Sequence, residues 1–309
     1  MQIKAAGDRQ ADILAFERLL ERPDVPAATG GRIEAEIRQI QAGDKGERDA
    51  AYDIELYFGR SKNWATIHDL RIEVDGLAAQ IDHLIINRLA EIWVCESKHF
   101  AEGVSVNDHG EWVRWWKGRS EGIPSPIEQN HRHLVLLQRV FHDGLVPPPR
   151  RFGLMSMKPD LRSLVLVSNK ARIGRARRAI DGIDEVIKVE QLKTRLFDEF
   201  ARASPLRMRR VIGTEGLESF ARDLAGLHRP ASFDWPRRFG LPAVAPAAAA
   251  PQPSPAEPSP APWDSHRRGS GHRCASCGEP ISFAVVRFCW NNKARFNGAE
   301  YCIPCQQNF

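Results

Sequence analysis

Three ionisable side chains sit where the surrounding sequence argues for burial. Asp82 lies in Gln80-Ile81-Asp82-His83-Leu84-Ile85-Ile86-Asn87, and Glu96 and Lys98 lie in Glu91-Ile92-Trp93-Val94-Cys95-Glu96-Ser97-Lys98. Both runs are apolar, rich in β-branched residues and of strand length, with a short hairpin connection over Asn87–Ala90. Alternation along a strand puts Ile92, Val94, Glu96 and Lys98 on one face and Trp93, Cys95 and Ser97 on the other. Apolar residues on both faces imply a central strand covered from both sides, as in an α/β sandwich. Two carboxylates converging on one spot repel each other, and a hard divalent cation such as Mg²⁺ relieves the repulsion while keeping waters that can serve as nucleophiles. Lys98 would then orient such a water or stabilise charge on a phosphoryl oxygen. The three meet only if paired residue numbers sum to an even value, as with Asp82 opposite Glu96 and Arg88-Leu89-Ala90 as the loop; a slip of one residue turns Asp82 away. The triplet alone also fits a plainer arrangement, a Glu96–Lys98 ion pair at a strand end with Asp82 at the sheet rim.

The flanking segments supply two helices. Asp44 is a good N-cap, and Glu47, Ala50, Ala51, Ile54 and Phe58 follow as one stripe, so Glu47 points with the apolar face toward the sheet. The same Asp44-x-x-Glu47 spacing also fits a capping box, in which Glu47 serves only a backbone N–H. A second helix opens at Ser125-Pro126-Ile127-Glu128, with a cap, a proline at the first helical position and a capping-box glutamate. Leu134, Leu137 and Phe141 give it a core face. Gln129 stands at the edge of that face, placed either to meet a phosphate or Lys98, or to be an ordinary exposed polar residue.

Taken in order, Gly46-Glu47, Gln80-Ile81-Asp82-His83, Glu96-Ser97-Lys98, Trp112 in a following strand and Pro126-Ile127-Glu128-Gln129 resemble the nuclease-related domain (NERD) family, a branch of the PD-(D/E)xK nuclease-like superfamily. The resemblance runs from about Gly43 to Phe141 and on to about Phe200. It implies a restriction-endonuclease-like α/β fold, a mixed sheet flanked by helices. It also implies that Asp82 and Glu96 hold Mg²⁺ or Mn²⁺ with the Ser97 carbonyl as a further ligand, that Lys98 is the catalytic base or charge stabiliser, and that Glu47 and Gln129 support them. The implied substrate is DNA, with products carrying a 5′-phosphate and a 3′-hydroxyl. Ser125 stands where the family pattern has asparagine before the proline, and it preserves the helix cap.

At 309 residues the chain can hold one good-sized α/β domain and something smaller. A net charge of +5 and a pI near 9.0 suit a polyanionic partner. No basic start leads into an apolar run, and no stretch approaches the ~18 apolar residues of a membrane span, so the cytoplasm is the expected home. Residues 1–42 read as a helical extension, with a helix over Asp8–Leu20 burying Ile13, Leu14, Phe16 and Leu19, and a polar helix over Gly31–Gln41. Residues 43–229 read as the nuclease-like domain. Within it, strands at Leu161–Ser168 and Glu185–Val189 and helices at about Glu190–Arg202 and Met208–Leu227 extend the sheet. His68 and His83 read as structural or solvent-facing. Trp112, Trp115 and Trp116, interleaved with Arg114, Lys117 and Arg119 on a two-stranded ribbon turning at Asp108-His109-Gly110, suit base stacking or a core tryptophan with an amphipathic surface. Lys170, Arg172, Arg175, Arg177 and Arg178, joined by Arg207, Arg209 and Arg210, form either a solvated face or a rail for a phosphate backbone. Residues 240–262, built from proline, alanine and serine, read as an extended tether.

Residues 270–309 carry Cys274-Ala275-Ser276-Cys277 and Cys302-Ile303-Pro304-Cys305. Two C-x₂-C knuckles separated by a stretch that reads as strands predict a Cys₄ zinc ribbon, with Cys274, Cys277, Cys302 and Cys305 as ligands. Four thiolates leave Zn²⁺ no open position, so its role is structural, and so small a core needs the metal to fold. Cys289 and Cys95 are expected to be buried, one in the ribbon and one in the sheet. Arg273, Arg287, Lys293 and Arg295 with Phe288, Trp290, Phe296 and Tyr301 suit contact with nucleic acid or with a protein partner. The sequence therefore reads as a Mg²⁺- or Mn²⁺-dependent deoxyribonuclease tethered to a zinc ribbon. The alternatives are a non-catalytic nucleic-acid- or protein-binding module on the same fold, acting in repair or defence, and a nuclease acting on RNA. No GxxxxGK[ST] phosphate loop is present.

Overall fold

The computed structural model describes residues 1–151, 155–204, 211–231, 233–242, 272–281 and 283–308, the side chains of 283, 284, 287, 291, 294, 307 and 308 aside. The chain divides into two compact units, Met1–Val244 and Ala245–Phe309. In the first, β4 (Glu91–Lys98) is the inner strand that its two apolar faces require. It pairs antiparallel with β3 (Leu77–Asn87) and parallel with β10 (Asp160–Val167). The six-stranded sheet runs β1 (Gln2–Lys4), β2 (Trp64–Val74), β3, β4, β10, β12 (Val186–Lys188), and is mixed. Asp75 and Gly76, both at positive φ, close the β2–β3 hairpin in two residues, as an Asp-Gly pair is suited to do.

Each face of the sheet has its own helical cover. Ile92 and Val94 of β4, with Leu84 and Ile86 of β3, pack against Leu136, Leu137 and Val140 of α3 (Pro126–His142) and Phe220 and Leu224 of α5 (Thr214–Ala225). Trp93 and Cys95 face the other way, against Ile54 and Phe58 of α2 (Ala27–Phe58) and Leu192 and Leu196 of α4 (Leu192–Ala201). Full burial of such side chains is worth about 1.5–3 kcal/mol each, which holds both layers on one strand. A four-stranded sheet of β11 (Arg172–Gly174), β5 (Gly103–Val106), β6 (Trp112–Trp116) and β7 (Arg119–Ile123) lies beside the main one. It shares a core with it through Val104, Val106, Trp112, Val165 and Val167. The expected two-stranded ribbon is thus half of a larger sheet. A short hairpin, β8 (Arg150–Arg151) with β9 (Met155–Ser156), precedes β10.

Two helices differ from their expected form. No helix begins at Asp44, because α2 is a continuous 32-residue helix from Ala27, and Asp44 lies mid-helix in an ion pair with Arg48 at 2.7 Å. The capping-box reading of Glu47 fails with it. Gly46 gives the physical reason for a glycine in mid-helix: a Cβ there would come 2.7 Å from the His99 Cβ, so its absence lets α2 close on the end of β4. In α3 the buried stripe is centred on Asn130, His133, Leu137 and Val140, with Leu134 and Phe141 at its margin. Periodicity of apolar residues alone points one position off, because two members of the stripe are polar.

The N-terminal segment is built into the unit. β1 extends the sheet beside β2, and Phe16 and Leu19 of α1 (Gln10–Leu20) and Ile33 of α2 pack with Trp235, Phe239 and Leu241. Leu14, expected in that set, is exposed. Gly240–Pro242, the first residues of the expected tether, are described here; the rest of it, and Arg207, Arg209 and Arg210, lie outside the described residues.

Asn130 ties α3 to the sheet. Its Nδ2 lies 2.8 Å from Val94 O, 2.8 Å from Ser163 Oγ and 3.1 Å from Leu164 O, its two N–H groups shared among the three acceptors, bridging β4 and β10 from a fully buried position. Asn130→Ala is expected to destabilise the protein by about 2 kcal/mol in urea unfolding, since the carbonyls lose their donor where water does not replace it. A change within about 0.5 kcal/mol, the range of an ordinary surface substitution, would remove Asn130 from this role.

Candidate active site

The site forms where the β3–β4 ladder ends. The pairs run Ile86↔Ile92, Ile85↔Trp93, Leu84↔Val94 and His83↔Cys95, the register in which Arg88–Ala90 is the loop and Asp82 shares the face of Glu96. Beyond His83 the ladder stops. The Ser97 N–H donates instead to Asp82 Oδ2 at 2.8 Å, and Ser97 Oγ donates to the same oxygen at 2.9 Å. A side-chain carboxylate has taken the place of a strand carbonyl. The β2–β3 ladder skips the same point: His68↔His83 and Leu70↔Ile81 pair, while Asp69, at φ 53°, and Asp82 do not.

Lys98 and Glu96 share a face, as strand alternation requires. Lys98 Nζ lies 2.7 Å from Glu96 Oε1 and donates to Gln129 Oε1 at 3.1 Å. The bridge engages one carboxylate oxygen only, and Glu96 Oε2 is buried with no hydrogen-bond partner. Gln129 therefore meets Lys98 directly. His133, one turn along α3 from Gln129, brings Nδ1 to 3.6 Å from Glu96 Oε2. Sequence reading passed over His133 because a histidine among leucines carries no periodic signal. Its spacing of four from Gln129 was the available clue. Asp69 was missed for a similar reason: nothing in a strand sequence marks the residue that will leave the ladder.

Charge is crowded in this pocket. Burial, followed by the Asp82 charge, pushes the Glu96 carboxyl up to about 8. Burial, with Asp82 and Asp69, pushes Glu47 up to about 7. Asp82 is also raised, by burial against the pull of its Ser97 hydrogen bonds and of Lys98. Burial, then Lys98 and Arg132, lowers His133 to about 4, so its imidazole is neutral at physiological pH. Glu47, Asp82 and Glu96 thus stand within one another's field. They are not a closed cage: among the described residues only the four cysteines bring three or more ligand-type groups within 4.8 Å of one another. An open oxygen-donor site of this kind suits a cation that keeps part of its water shell.

A cleft of about 600 Å³ opens beside Lys98, lined by Lys45, Gly46, Ser97, His99 and Lys170 among others; Asp82 and Glu96 do not line it. A second cleft, lined by Trp115, Lys170 and Arg172, shares Ala101 and Lys170 with the first. Trp115 and Trp116 are exposed and Trp112 is buried, with the Lys117 ammonium 4.6 Å from the Trp116 ring centre. Arg175 is engaged elsewhere, donating to Val186 O at 2.8 Å. His68 and His83 form a buried pair, Nδ1 to Nδ1 at 2.8 Å, with His68 Nε2 2.8 Å from Glu55 Oε1.

Residues 42–165 match the nuclease-related domain, NERD. No curated protein and no solved structure matches the chain. The matched segment of the nuclease-related domain takes in Glu47, Asp82, Glu96, Lys98, Gln129 and His133, and ends inside β10. No helix among the described residues is long and apolar enough to cross a membrane.

In the second unit, Cys274, Cys277, Cys302 and Cys305 place their sulfurs within 4.8 Å of one another, with Cys277 Sγ 3.6 Å from Cys302 Sγ. That spacing is close to the ~3.8 Å edge of a tetrahedron with 2.3 Å metal–sulfur bonds. Each knuckle turns on itself: Gly278 N donates to Cys274 O at 2.9 Å and Gln306 N to Cys302 O at 3.0 Å. Burial raises the Cys274 thiol, and N–H groups of both knuckles outweigh it, bringing the thiol down to about 6. The stretch between the knuckles is helical, Phe283–Asn291 and Lys293–Phe296, where strands were expected. The small core holds Cys274, Ile281 and Val286, and Cys289 is buried apart from the four-sulfur cluster. Phe288 and Trp290 are exposed and Phe296 is buried; the Arg287 side chain lies outside the described residues.

Two outcomes follow from these charges. Glu96 and Glu47 bind protons more tightly folded than unfolded, so in metal-free protein their stabilising protons are present below about 4.5 and are lost as pH rises through about 7 and 8. Glu96→Gln should therefore raise the melting temperature at pH 8 in EDTA and leave it nearly unchanged at pH 4.5; equal shifts at both would refute the raised values. For the cysteines, purified protein should hold about one zinc per chain, with the four knuckle thiols unreactive until a chelator removes it. Zinc-free protein whose four thiols titrate freely would exclude the site.

Proposed function

We propose that the nuclease-related domain is a divalent-metal-dependent deoxyribonuclease. The observation that carries this reading is Glu96, a carboxylate 2% exposed, with one oxygen on Lys98, the other without a hydrogen bond, and two further carboxyls within its field. Such a group is costly unless a proton or a cation meets it, and without a cation Glu96 keeps its proton until the pH rises through about 8. Asp82 and Glu96, with Glu47 beside them, would hold the ion, and their oxygen donors suit Mg²⁺ or Mn²⁺. When bound, the ion supplies Lewis acidity toward a phosphoryl oxygen and lowers the pKa of water.

The chain's own groups do the positioning. Ser97 fixes the Asp82 carboxylate through two hydrogen bonds. Glu96 Oε1 and Gln129 Oε1 hold the Lys98 ammonium between strand and helix, where it orients the attacking water in line with the scissile bond and stabilises charge on the phosphoryl group. Lys45, Lys170 and Arg172, with Trp115 exposed in the adjoining cleft, offer a backbone track with a stacking platform. The products would carry a 5′-phosphate and a 3′-hydroxyl. The cysteine unit would be held by structural Zn²⁺ and add grip on nucleic acid through Phe288, Trp290, Lys293 and Arg295, or dock a protein partner. A cytoplasmic setting would keep its thiols reduced.

The Glu96–Lys98 bridge favours a second reading, a module that binds nucleic acid without cutting it. Plasmid, linear and single-stranded DNA, with labelled RNA alongside, incubated with Mg²⁺, Mn²⁺ or EDTA, decide between them. Metal-dependent cutting of DNA is expected, with Lys98→Ala losing about 10²–10⁴-fold in rate while retaining DNA binding. Wild-type cutting by that variant would overturn the mechanism, binding without cutting would establish the second reading, and cutting of RNA alone would reassign the substrate.

A further inference from the structure

The four-stranded sheet has one face in the core and one in solvent. Val104, Trp112 and Ile173 point into the core shared with the main sheet, so strand alternation turns Gly103, Trp115 and Arg172 outward. These three lie in one cross-strand row, Arg172 of β11 beside Gly103 of β5 beside Trp115 of β6, and Ser120 of β7 completes it. The glycine gives the indole no side-chain neighbour across that ladder. Trp115 Nε1 donates to Ser105 Oγ on β5 at 3.4 Å, which orients the ring, while the residue stays 45% exposed. A single exposed aromatic is ordinary; the cations beside it distinguish this one. Arg114 is paired with Glu121 at 2.6 Å, and Arg175 donates to Val186 O. Lys170 and Arg172, by contrast, make no ion pair or side-chain hydrogen bond among the described residues, and they line the same cleft of about 580 Å³ as Trp115. Glu102 is the acidic member of that cleft, so its balance is positive. Lys170 also lines the cleft beside Lys98, and so joins the indole to the candidate reacting centre.

We propose that this sheet face holds an unpaired base of the DNA strand, stacked on Trp115 with the adjoining phosphates on Lys170 and Arg172, so that the domain takes single-stranded DNA in preference to duplex. The proposal deepens the nuclease reading, and rests on it for the strand's route to Lys98. Within a duplex each base is covered on both faces by its neighbours, and an aromatic platform on a sheet gains nothing from it. An unpaired base offers its π-face, and every base has one, so the platform selects strandedness and not sequence. Phosphate contacts of Lys170 and Arg172 act on both forms of DNA, which leaves Trp115 as the residue that discriminates.

Full-length, zinc-replete protein is titrated into a fluorescently labelled oligonucleotide, single-stranded or annealed to its complement, with no added Mg²⁺ or Mn²⁺. Binding is then read apart from cutting, which the metal-dependence assay answers separately. Wild type should bind the single strand about fivefold or more tightly than the duplex. Trp115→Ala should lose about fivefold or more on the single strand alone, and Trp115→Phe, which keeps a ring, should recover most of it. Trp116→Ala, on the opposite face of the strand, should change neither form. Arg172→Gln should weaken both forms and flatten their salt dependence. A single strand with 5-iodouracil in place of thymine, irradiated in the complex, should cross-link to Trp115 of the unsubstituted protein, a readout that does not depend on any variant folding. Duplex bound as tightly as the single strand, equal losses on both forms in Trp115→Ala, the same loss in Trp116→Ala, or no adduct at Trp115 would overturn the proposal.

Discussion

The end of one hydrogen-bond ladder governs this molecule. Between β3 and β4 the backbone pairing stops at His83 and Cys95, and from there a carboxylate receives what a carbonyl would have received. Had the ladder run on, Asp82 would pair with Glu96 on the face that α3 covers. Because it stops, the Asp82 side chain is drawn across to Ser97, and Glu96 is left to settle its charge with Lys98 on one oxygen alone. Desolvation then acts on three carboxyls together, which is why Glu47 and Glu96 hold protons near neutral pH.

Position and electrostatics have separate owners here. Strand alternation decides that Glu96 and Lys98 share a face, but the helices decide what that face meets. Gly46 lets α2 close on His99 and so carries Glu47 to the pocket, while Asn130 holds α3 down so that Gln129 and His133 reach it from the opposite layer. The two layers converge on one strand end from opposite sides of the sheet. The second unit applies a contrasting chemistry, four soft sulfur donors gathered on two tight turns beside a small core.

What could be read from the residues alone follows the same division. The β3–β4 hairpin was legible because both strands carry apolar residues on both faces and only one parity of register brings Asp82 beside Glu96. Ser125 and Pro126 announced α3, and Ser125 Oγ accepts from Glu128 N as a cap should. The unbroken course of α2 was not legible: Asp44 has the chemistry of a cap, and four glycines, Gly30, Gly31, Gly43 and Gly46, cost helix propensity that tertiary packing overrides. The buried face of α3 hid its polar members, since a pattern search counts apolar residues and Asn130 and His133 are not. Between the knuckles a short apolar run, Phe283–Trp290, carried too little periodicity to separate strand from helix, and its strand-like length pointed the wrong way, since Phe283–Asn291 is helical.

The length of α2 joins two places in the fold. Its N-terminal half is clamped by Trp235, Phe239 and Leu241, immediately before the proline- and alanine-rich run begins, and Arg238 adds an ion pair to Glu36 at 3.1 Å. Eleven residues beyond Glu36 on the same helix, about 17 Å at 1.5 Å per residue, sits Glu47. The helix packed against Trp235, Phe239 and Leu241 is therefore the same one that carries Glu47 to the carboxylates.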